Sequence, residues 1–150
     1  MLNQSLIKHI KIYIEVIVVN DGSTDKTSEI ADRLKNKDNR VVVIHNPNKG
    51  VSASRNDGLQ KSSGDYIVFV DADDFLAVDY IDYMLTMANT TDSDFCLSKN
   101  CYTKINEKQV DDDTVEVLSP ADAIALLLSP RVIVGCWNKI FKKEFLLKKN

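Results

Sequence analysis

The sequence predicts an α/β domain, a mostly parallel sheet flanked by helices, and two observations carry that expectation. The first is a pair of continuous apolar runs, Val16-Ile17-Val18-Val19 and Tyr66-Ile67-Val68-Phe69-Val70, each bounded by turn formers. Short runs of this kind read as strands covered on both faces, the usual condition of parallel sheets packed between helices. The second is that both runs finish in acidic residues, Asn20-Asp21-Gly22-Ser23-Thr24-Asp25 and Asp71-Ala72-Asp73-Asp74. Open α/β sheets take their ligands beyond the carboxyl ends of the strands, which is where both clusters fall.

Along the chain, Leu2, Leu6 and Ile10 stand at helical spacing, so residues 1–10 read as the end of an amphipathic helix. A strand over residues 13–20 follows. Asp21-Gly22-Ser23 then turns the chain, and Thr24 or Asp25 caps a helix whose inward face is Ile30, Ala31 and Leu34. Residues 41–45 form a second strand. Asn46-Pro47-Asn48-Lys49-Gly50 is loop chemistry, and it leads into a helix from Val51 to about Lys61 and a Ser62-Ser63-Gly64-Asp65 turn. After the strand over residues 66–70, the positions Val78, Ile81, Met84 or Leu85, and Ala88 recur at helical spacing, and that helix closes near Asn89-Thr90-Thr91. Residues 95–98 and 115–118 read as strands joined by a polar connection over 104–113. Ser119 as N-cap, Pro120 in the first turn and Asp122 open another helix through Ala123-Ile124-Ala125-Leu126-Leu127-Leu128, which Ser129-Pro130 stops. In the tail, Trp137, Phe141 and Phe145 sit at i, i+4 among Lys139, Lys142, Lys143, Lys148 and Lys149. That spacing reads as a terminal helix packing its aromatic face inward, with a basic helix lying on a membrane surface as the alternative.

Composition narrows the function classes. With 150 residues, 44% of them hydrophobic, one domain can bury about two thirds of its unfolded surface. A net charge of −3 with 27% charged residues argues against a basic nucleic-acid footprint and against disorder. The three cysteines, Cys96, Cys101 and Cys136, have an odd count and no C-x-x-C spacing, so a disulfide framework or zinc site is not expected and the compartment reads as reducing and cytoplasmic. Lys8, His9, Lys11 and Glu15 interrupt any leader or membrane-spanning run in the first 19 residues. Membrane contact is expected, if at all, to be peripheral and on the inner, cytoplasmic face.

The cluster Asp71-Ala72-Asp73-Asp74 holds the most chemistry, with three carboxylates in four residues. Two carboxylates 4 Å apart repel by about 4 kcal/mol at an effective dielectric near 20, so the cluster calls for solvent or a cation. On an extended segment Asp71 and Asp73 would leave the same side, where both could face one octahedral Mg²⁺ or Mn²⁺ completed by water and phosphate oxygens. A solvated turn with a helix cap at Asp74 or Asp79 explains the same residues.

Three stretches together, Glu15-Val-Ile-Val-Val-Asn-Asp-Gly-Ser-Thr-Asp25, Asn48-Lys-Gly-Val-Ser-Ala-Ser-Arg-Asn-Asp-Gly58 and Gly64-Asp-Tyr-Ile-Val-Phe-Val-Asp-Ala-Asp-Asp74, resemble the nucleotide-sugar half of a family 2 glycosyltransferase with the GT-A, Rossmann-like fold. Gly135-Cys-Trp-Asn-Lys-Ile-Phe-Lys-Lys-Glu-Phe145 is similar to a W-x-K-L-[FY]-[KR]-[KR] stretch of the bacterial polysaccharide branch. The resemblance implies a donor that is a nucleoside diphosphate sugar, UDP-type by preference, with Mn²⁺ or Mg²⁺ as cofactor. It implies that Asp21 accepts the imide N–H of a uracil-type base and that Arg55 reaches the base or the diphosphate, although taken alone Arg55 reads equally as a surface helix charge. Asp71 would hold the ribose hydroxyls or a metal-bound water, and Asp73 would ligate the metal bridging the diphosphate. The implied reaction is inverting sugar transfer to a glycan or lipid-linked acceptor, with the cation neutralising the departing diphosphate and a carboxylate base on the acceptor hydroxyl.

Set against that family, residues 1–150 read as a single, incomplete GT-A domain, with 11–76 the nucleotide-sugar part and 77–150 the start of the acceptor side. The family's first strand is expected to be missing from the middle of the sheet, which would favour self-association by strand addition. No catalytic base is assigned. Asp111, Asp112 and Asp113 supply carboxylates but read as a solvated turn, and turnover by this chain alone is not expected. Two other classes fit parts of the pattern: a non-catalytic nucleotide-binding module, and a haloacid dehalogenase-like phosphotransferase suggested by Phe69-Val-Asp-Ala-Asp-Asp-Phe-Leu76.

Overall fold

A computed structural model of the protein describes residues 12–98, 114–132 and 135–148. The expected helix end around Leu2, Leu6 and Ile10, the 104–113 connection with Asp111, Asp112 and Asp113, and Cys101 lie outside the described residues. The described residues up to 65 form one compact unit and those from 66 onward a second.

In the first unit the β-branched run becomes strand β1 (Val16–Asp21), because Val and Ile side chains suit a pleated surface better than a helix. It pairs in parallel with β2 (Val41–Asn46), Val16 opposite Val41 and Asp21 opposite Asn46. Two parallel strands need a crossover, and α1 (Thr27–Lys37) supplies it. The Asp25 carboxylate accepts the Thr27 N–H at 2.9 Å, while Lys26, the residue at the cap position, makes no side-chain cap bond. Of the expected inward face of α1 only Ala31 is buried; Ile30 and Leu34 are 45% and 49% exposed. A helix is about 10 Å across, and two strands about 4.8 Å apart are narrower than its apolar stripe, so the flanking residues overhang. β1 is likewise not enclosed on both faces as its apolar run suggests, and only its Asn20 is buried. Helix α2 (Val51–Lys61) has the expected bounds and packs against β1. Glu15, just before β1, accepts hydrogen bonds through Oε1 from the Ser63 N–H, the Ser63 hydroxyl and the Gly64 N–H, closing the unit at the turn after α2.

The second unit is built on an antiparallel sheet in the order β3–β5–β4, with β3 (Tyr66–Val68), β4 (Phe95–Leu97) and β5 (Lys139–Lys142). The α/β class therefore stands, while parallel pairing among the described residues is confined to β1 and β2. The tail expected as one terminal helix is instead β5 followed by the short helix α5 (Lys143–Leu147). Its i, i+4 aromatics match a helical face, but β5 is the central strand, and ladders on both edges outweigh the pattern: Ile67 and Phe95 both stand opposite Phe141. Asn138, at φ +61°, breaks the chain just before it. The aromatics still cluster, with Phe95 stacked on Phe141 and Phe145 at 5.9 and 6.0 Å between ring centroids and Phe69 edge-on to Phe141 at 6.2 Å. Strand β3 ends at Val68 rather than Val70 because its ladder stops at Val68 opposite Ile140, two residues from the Asn138 break in its partner.

Residues 115–118 form no strand; Val115 and Val117 are exposed and no described strand pairs with them. Helix α4 (Pro120–Leu127) begins as its sequence requires, the Ser119 hydroxyl oxygen accepting the Asp122 N–H at 3.3 Å and its O–H donating to the Asp122 carboxylate at 2.6 Å. Helix α3 (Tyr80–Thr91) carries the core: Tyr80, Met84 and Ala88 bury one stripe against Ala77 and Ile140. It ends at Asp92, a left-handed residue whose carboxylate accepts the Lys142 ammonium at 2.6 Å. None of the described helices is long and apolar enough to cross a membrane.

Met84 is the largest fully buried side chain, at 1% exposure. Met84→Ala is expected to cost about 2–5 kcal/mol, the usual range for emptying such a site. Urea denaturation followed by circular dichroism measures it, and an unshifted midpoint would show that the second unit does not rest on this stripe.

Candidate functional site

The turn after β1 is held by a different partner at each of three successive residues, Asn20, Asp21 and Gly22. Asn20 is buried, so its amide must be satisfied internally. Its Oδ1 accepts the Ser23 N–H at 3.1 Å, and its Nδ2 donates to the Ser28 hydroxyl at 2.7 Å and faces His45 Nδ1 at 3.1 Å. The far ring nitrogen of His45, Nε2, meets Asp32 Oδ1 at 3.1 Å. Gly22 lies at φ +74°, and a Cβ built there would come within 2.6 Å of the Asn48 backbone nitrogen, so both conformation and space demand glycine.

Asp21 grips the opposite loop. Its Oδ1 accepts the Lys49 N–H and its Oδ2 the Gly50 N–H, each at 2.9 Å. Gly50, at φ +91°, is the residue from which α2 departs, and α2 has no side-chain cap of its own. The Asp21 carboxylate thus stands near the positive end of that helix, a favourable place for an anion. Donation by the Lys49 N–H is the largest reason its carboxyl lies below the usual carboxylate range, with the buried Ser54 hydroxyl, the Gly50 N–H and the Lys49 ammonium adding to it. The Ser54 oxygen itself makes no hydrogen bond, so its contribution is that of a nearby dipole. Beside Asp21, Asp57 Oδ2 takes the Lys49 ammonium and the Asn46 amide, both at 2.6 Å. The hydrogen bond from Lys49 is the chief reason the Asp57 carboxyl lies below the usual carboxylate range, and Asp21 pushes the other way. Two carboxylates, one ammonium and two backbone N–H groups form one polar cluster around the loop that ends at Gly50. Arg55 is half-buried on α2, in the same unit as Asp21.

Asp71 and Asp73 belong to the second unit. They do not lie on an extended segment: the chain turns at residues 72–73, and the Asp74 N–H donates to the Asp71 carbonyl at 3.0 Å. Strand alternation therefore cannot align their carboxylates, which stand instead on a tight turn, Asp71 half-buried and Asp73 exposed. No group of three or more metal-ligating side chains occurs among the described residues. A pair of hard carboxylate oxygens still fits Mg²⁺ or Mn²⁺, because such ions are held through one or two carboxylates plus phosphate and water. Asp79, read as a helix cap, stands at the cap position of α3 without a side-chain cap bond.

Asn20, Asn46, Lys49 and Asp57 were not singled out by their chemistry in the sequence. The available signal was polarity at the end of apolar strands: Asn20 and His45 are register partners, as are Asp21 and Asn46.

A family model described as "Glycosyl transferase family 2" matches residues 2–146. The chain is 34% identical over 139 residues to the putative glycosyltransferase EpsH of Bacillus subtilis (strain 168), covering 89% of this chain and 40% of that protein. It is 31% identical over 155 residues to the uncharacterized glycosyltransferase YibD of Escherichia coli (strain K12), covering 98% and 45%. It is 38% identical over 96 residues to the glycosyltransferase GlyA of Streptococcus pneumoniae serotype 4, covering 64% and 14%. The chain thus spans less than half the length of these relatives.

The Asp21 clamp has a pH signature. Since its carboxyl is lowered in the folded protein, the clamp is fully present above the unfolded value of about 3.9 and is lost as pH falls through the lowered one. Carbon-detected NMR of the Asp21 carboxyl is expected to show a midpoint below about 3.9, with the Lys49 and Gly50 amide shifts following it. In Asp21→Asn those amide shifts should not titrate; if they titrate unchanged, Asp21 does not hold the loop.

Proposed function

Because the chain belongs to glycosyl transferase family 2, we propose that it binds a nucleoside diphosphate sugar, with uridine as the base, as donor for transfer to a glycan or lipid-linked acceptor. The observation that carries this reading is the Asp21 carboxylate, held at the carboxyl end of a parallel strand by two backbone N–H groups. A carboxylate oxygen has two lone-pair positions, and each oxygen of Asp21 uses one on the loop. The remaining ones are fixed in space and suit the imide N–H of a uracil, which a charged acceptor binds more strongly than a neutral one does. Arg55, on the helix that this loop opens, supplies a planar donor set for the base or the diphosphate.

Asp71 and Asp73 would hold the divalent cation, Asp73 as the direct ligand and Asp71 through the ion or its water and the ribose hydroxyls. The bound cation would neutralise charge on the departing diphosphate. Membership of this family sets aside the phosphotransferase reading of Phe69-Val-Asp-Ala-Asp-Asp-Phe-Leu76. On this reading the functional division falls at 11–76 for the nucleotide sugar and 77–150 for the acceptor side.

Titration calorimetry of the chain with UDP, GDP and ADP, with Mn²⁺ and then with excess chelator, tests the proposal. UDP binding that needs the metal is expected. Asp73→Ala should remove the metal-linked part, and Asp21→Asn should relax the preference for uridine over the other bases. Equal binding with and without metal would overturn the role of Asp73, and absence of any nucleotide binding would overturn the whole reading.

A further inference from the structure

We infer that His45 is a positioning residue for the Asp21 turn, holding it through Asn20 only while its ring is neutral with the proton on Nε2. The inference rests on the reading that Asp21 meets the nucleotide, and it begins from hydrogen-bond direction. The Ser23 backbone N–H can only donate, so the Asn20 atom facing it at 3.1 Å is the oxygen, and the Asn20 nitrogen therefore faces Ser28 and His45. An amide nitrogen can only donate, so His45 Nδ1 must be the acceptor and carries no proton. The ring proton then sits on Nε2, where it donates to Asp32.

The groups facing the ring are Asp32 from α1 and Asn20 from β1, and they pull in opposite directions. Asp32 is charged and favours a protonated ring. Asn20 disfavours it, because a proton on Nδ1 would point at an amide N–H. Turning the Asn20 amide over would relieve that clash only by setting its N–H against the Ser23 N–H, leaving a buried donor unsatisfied. Protonation therefore keeps the Asp32 contact and breaks the Asn20 contact. Asn20 then loses one of three partners, keeping the Ser23 N–H and the Ser28 hydroxyl, and the turn carrying Asp21 and Gly22 is held less firmly.

The test uses the full chain labelled with ¹⁵N, followed by NMR from pH 8 down to pH 5. At pH 8 His45 is expected as the Nε2–H tautomer, and the Ser23 amide is expected to move with the same midpoint as the His45 ring. His45→Asn places an oxygen acceptor near the Nδ1 position without a titrating group, so its Ser23 amide should stay in its pH 8 position throughout. UDP affinity should fall about tenfold in the parent as the ring charges, the scale of one hydrogen-bond partner lost at the part-buried Asn20 amide. It should be low at every pH in His45→Ala and steady in His45→Asn. A dominant Nδ1–H tautomer at pH 8, or a Ser23 amide that ignores the His45 titration, overturns the inference. Those two readings need no nucleotide, so failure to bind UDP would count against the proposed function alone.

Discussion

The first unit depends on one interaction more than any other, the grip of a single carboxylate on two consecutive backbone N–H groups across the sheet end. Lys49 and Gly50 lie in the loop that opens α2, a position with few partners for its amides. Asp21 gives them one, and in doing so fixes its own orientation, where the α2 departure and the β1 terminus meet. Gly22 completes the join by having no Cβ to hold the Asn48 backbone away. A side chain at position 22 would push Asn48 outward, and the Lys49 and Gly50 amides would move with it.

The two units are held together by different physics. In the first, the buried residues among those described are Asn20, Ala31 and Ser54, two polar and one small, so these residues contribute little apolar area. Its geometry is kept instead by directed bonds, Glu15 at one end of β1 and Asn20 and Asp21 at the other. In the second, Tyr80, Met84, Ala88 and Ile140 form an apolar core, with the Phe95, Phe141 and Phe145 rings alongside. Apolar packing tolerates small displacements, whereas a hydrogen bond weakens steeply with angle. The bonded unit is therefore the better place for a group that must be held at a fixed distance and direction.

What the sequence made legible follows the same division. The α2 bounds, the Ser119 cap and the presence of α3 were readable because each is set by local chemistry, a loop with Gly50 before a helix, a hydroxyl before a proline, an apolar repeat. The buried stripe of α3, however, is Tyr80, Met84 and Ala88, whereas the expected Val78 precedes the helix and is exposed. The tail was misread because Trp137, Phe141 and Phe145 are spaced for a helix, and only the two edges offered by β3 and β4 make that segment a strand. Asp21 stood out from its place at a strand end, but its hold on Lys49 and Gly50, 28 and 29 residues away in sequence, was not legible. Parallel register brings Asn20 beside His45, and no local pattern encodes a register set by the crossover between two strands.

The two acidic positions also differ in how much order they have before any ligand arrives. Asp21 is fixed by hydrogen bonds on both oxygens, whereas Asp73 is exposed on a turn closed by one backbone bond from Asp74 to Asp71. A cation bound there alone must order the carboxylates and give up water for a small number of ligands, and a small divalent ion gives up water reluctantly. Phosphate oxygens arriving with the ion remove that cost by completing its shell. On the proposed reading, affinity for the free ion is therefore weak and affinity for the ion with its nucleotide is strong.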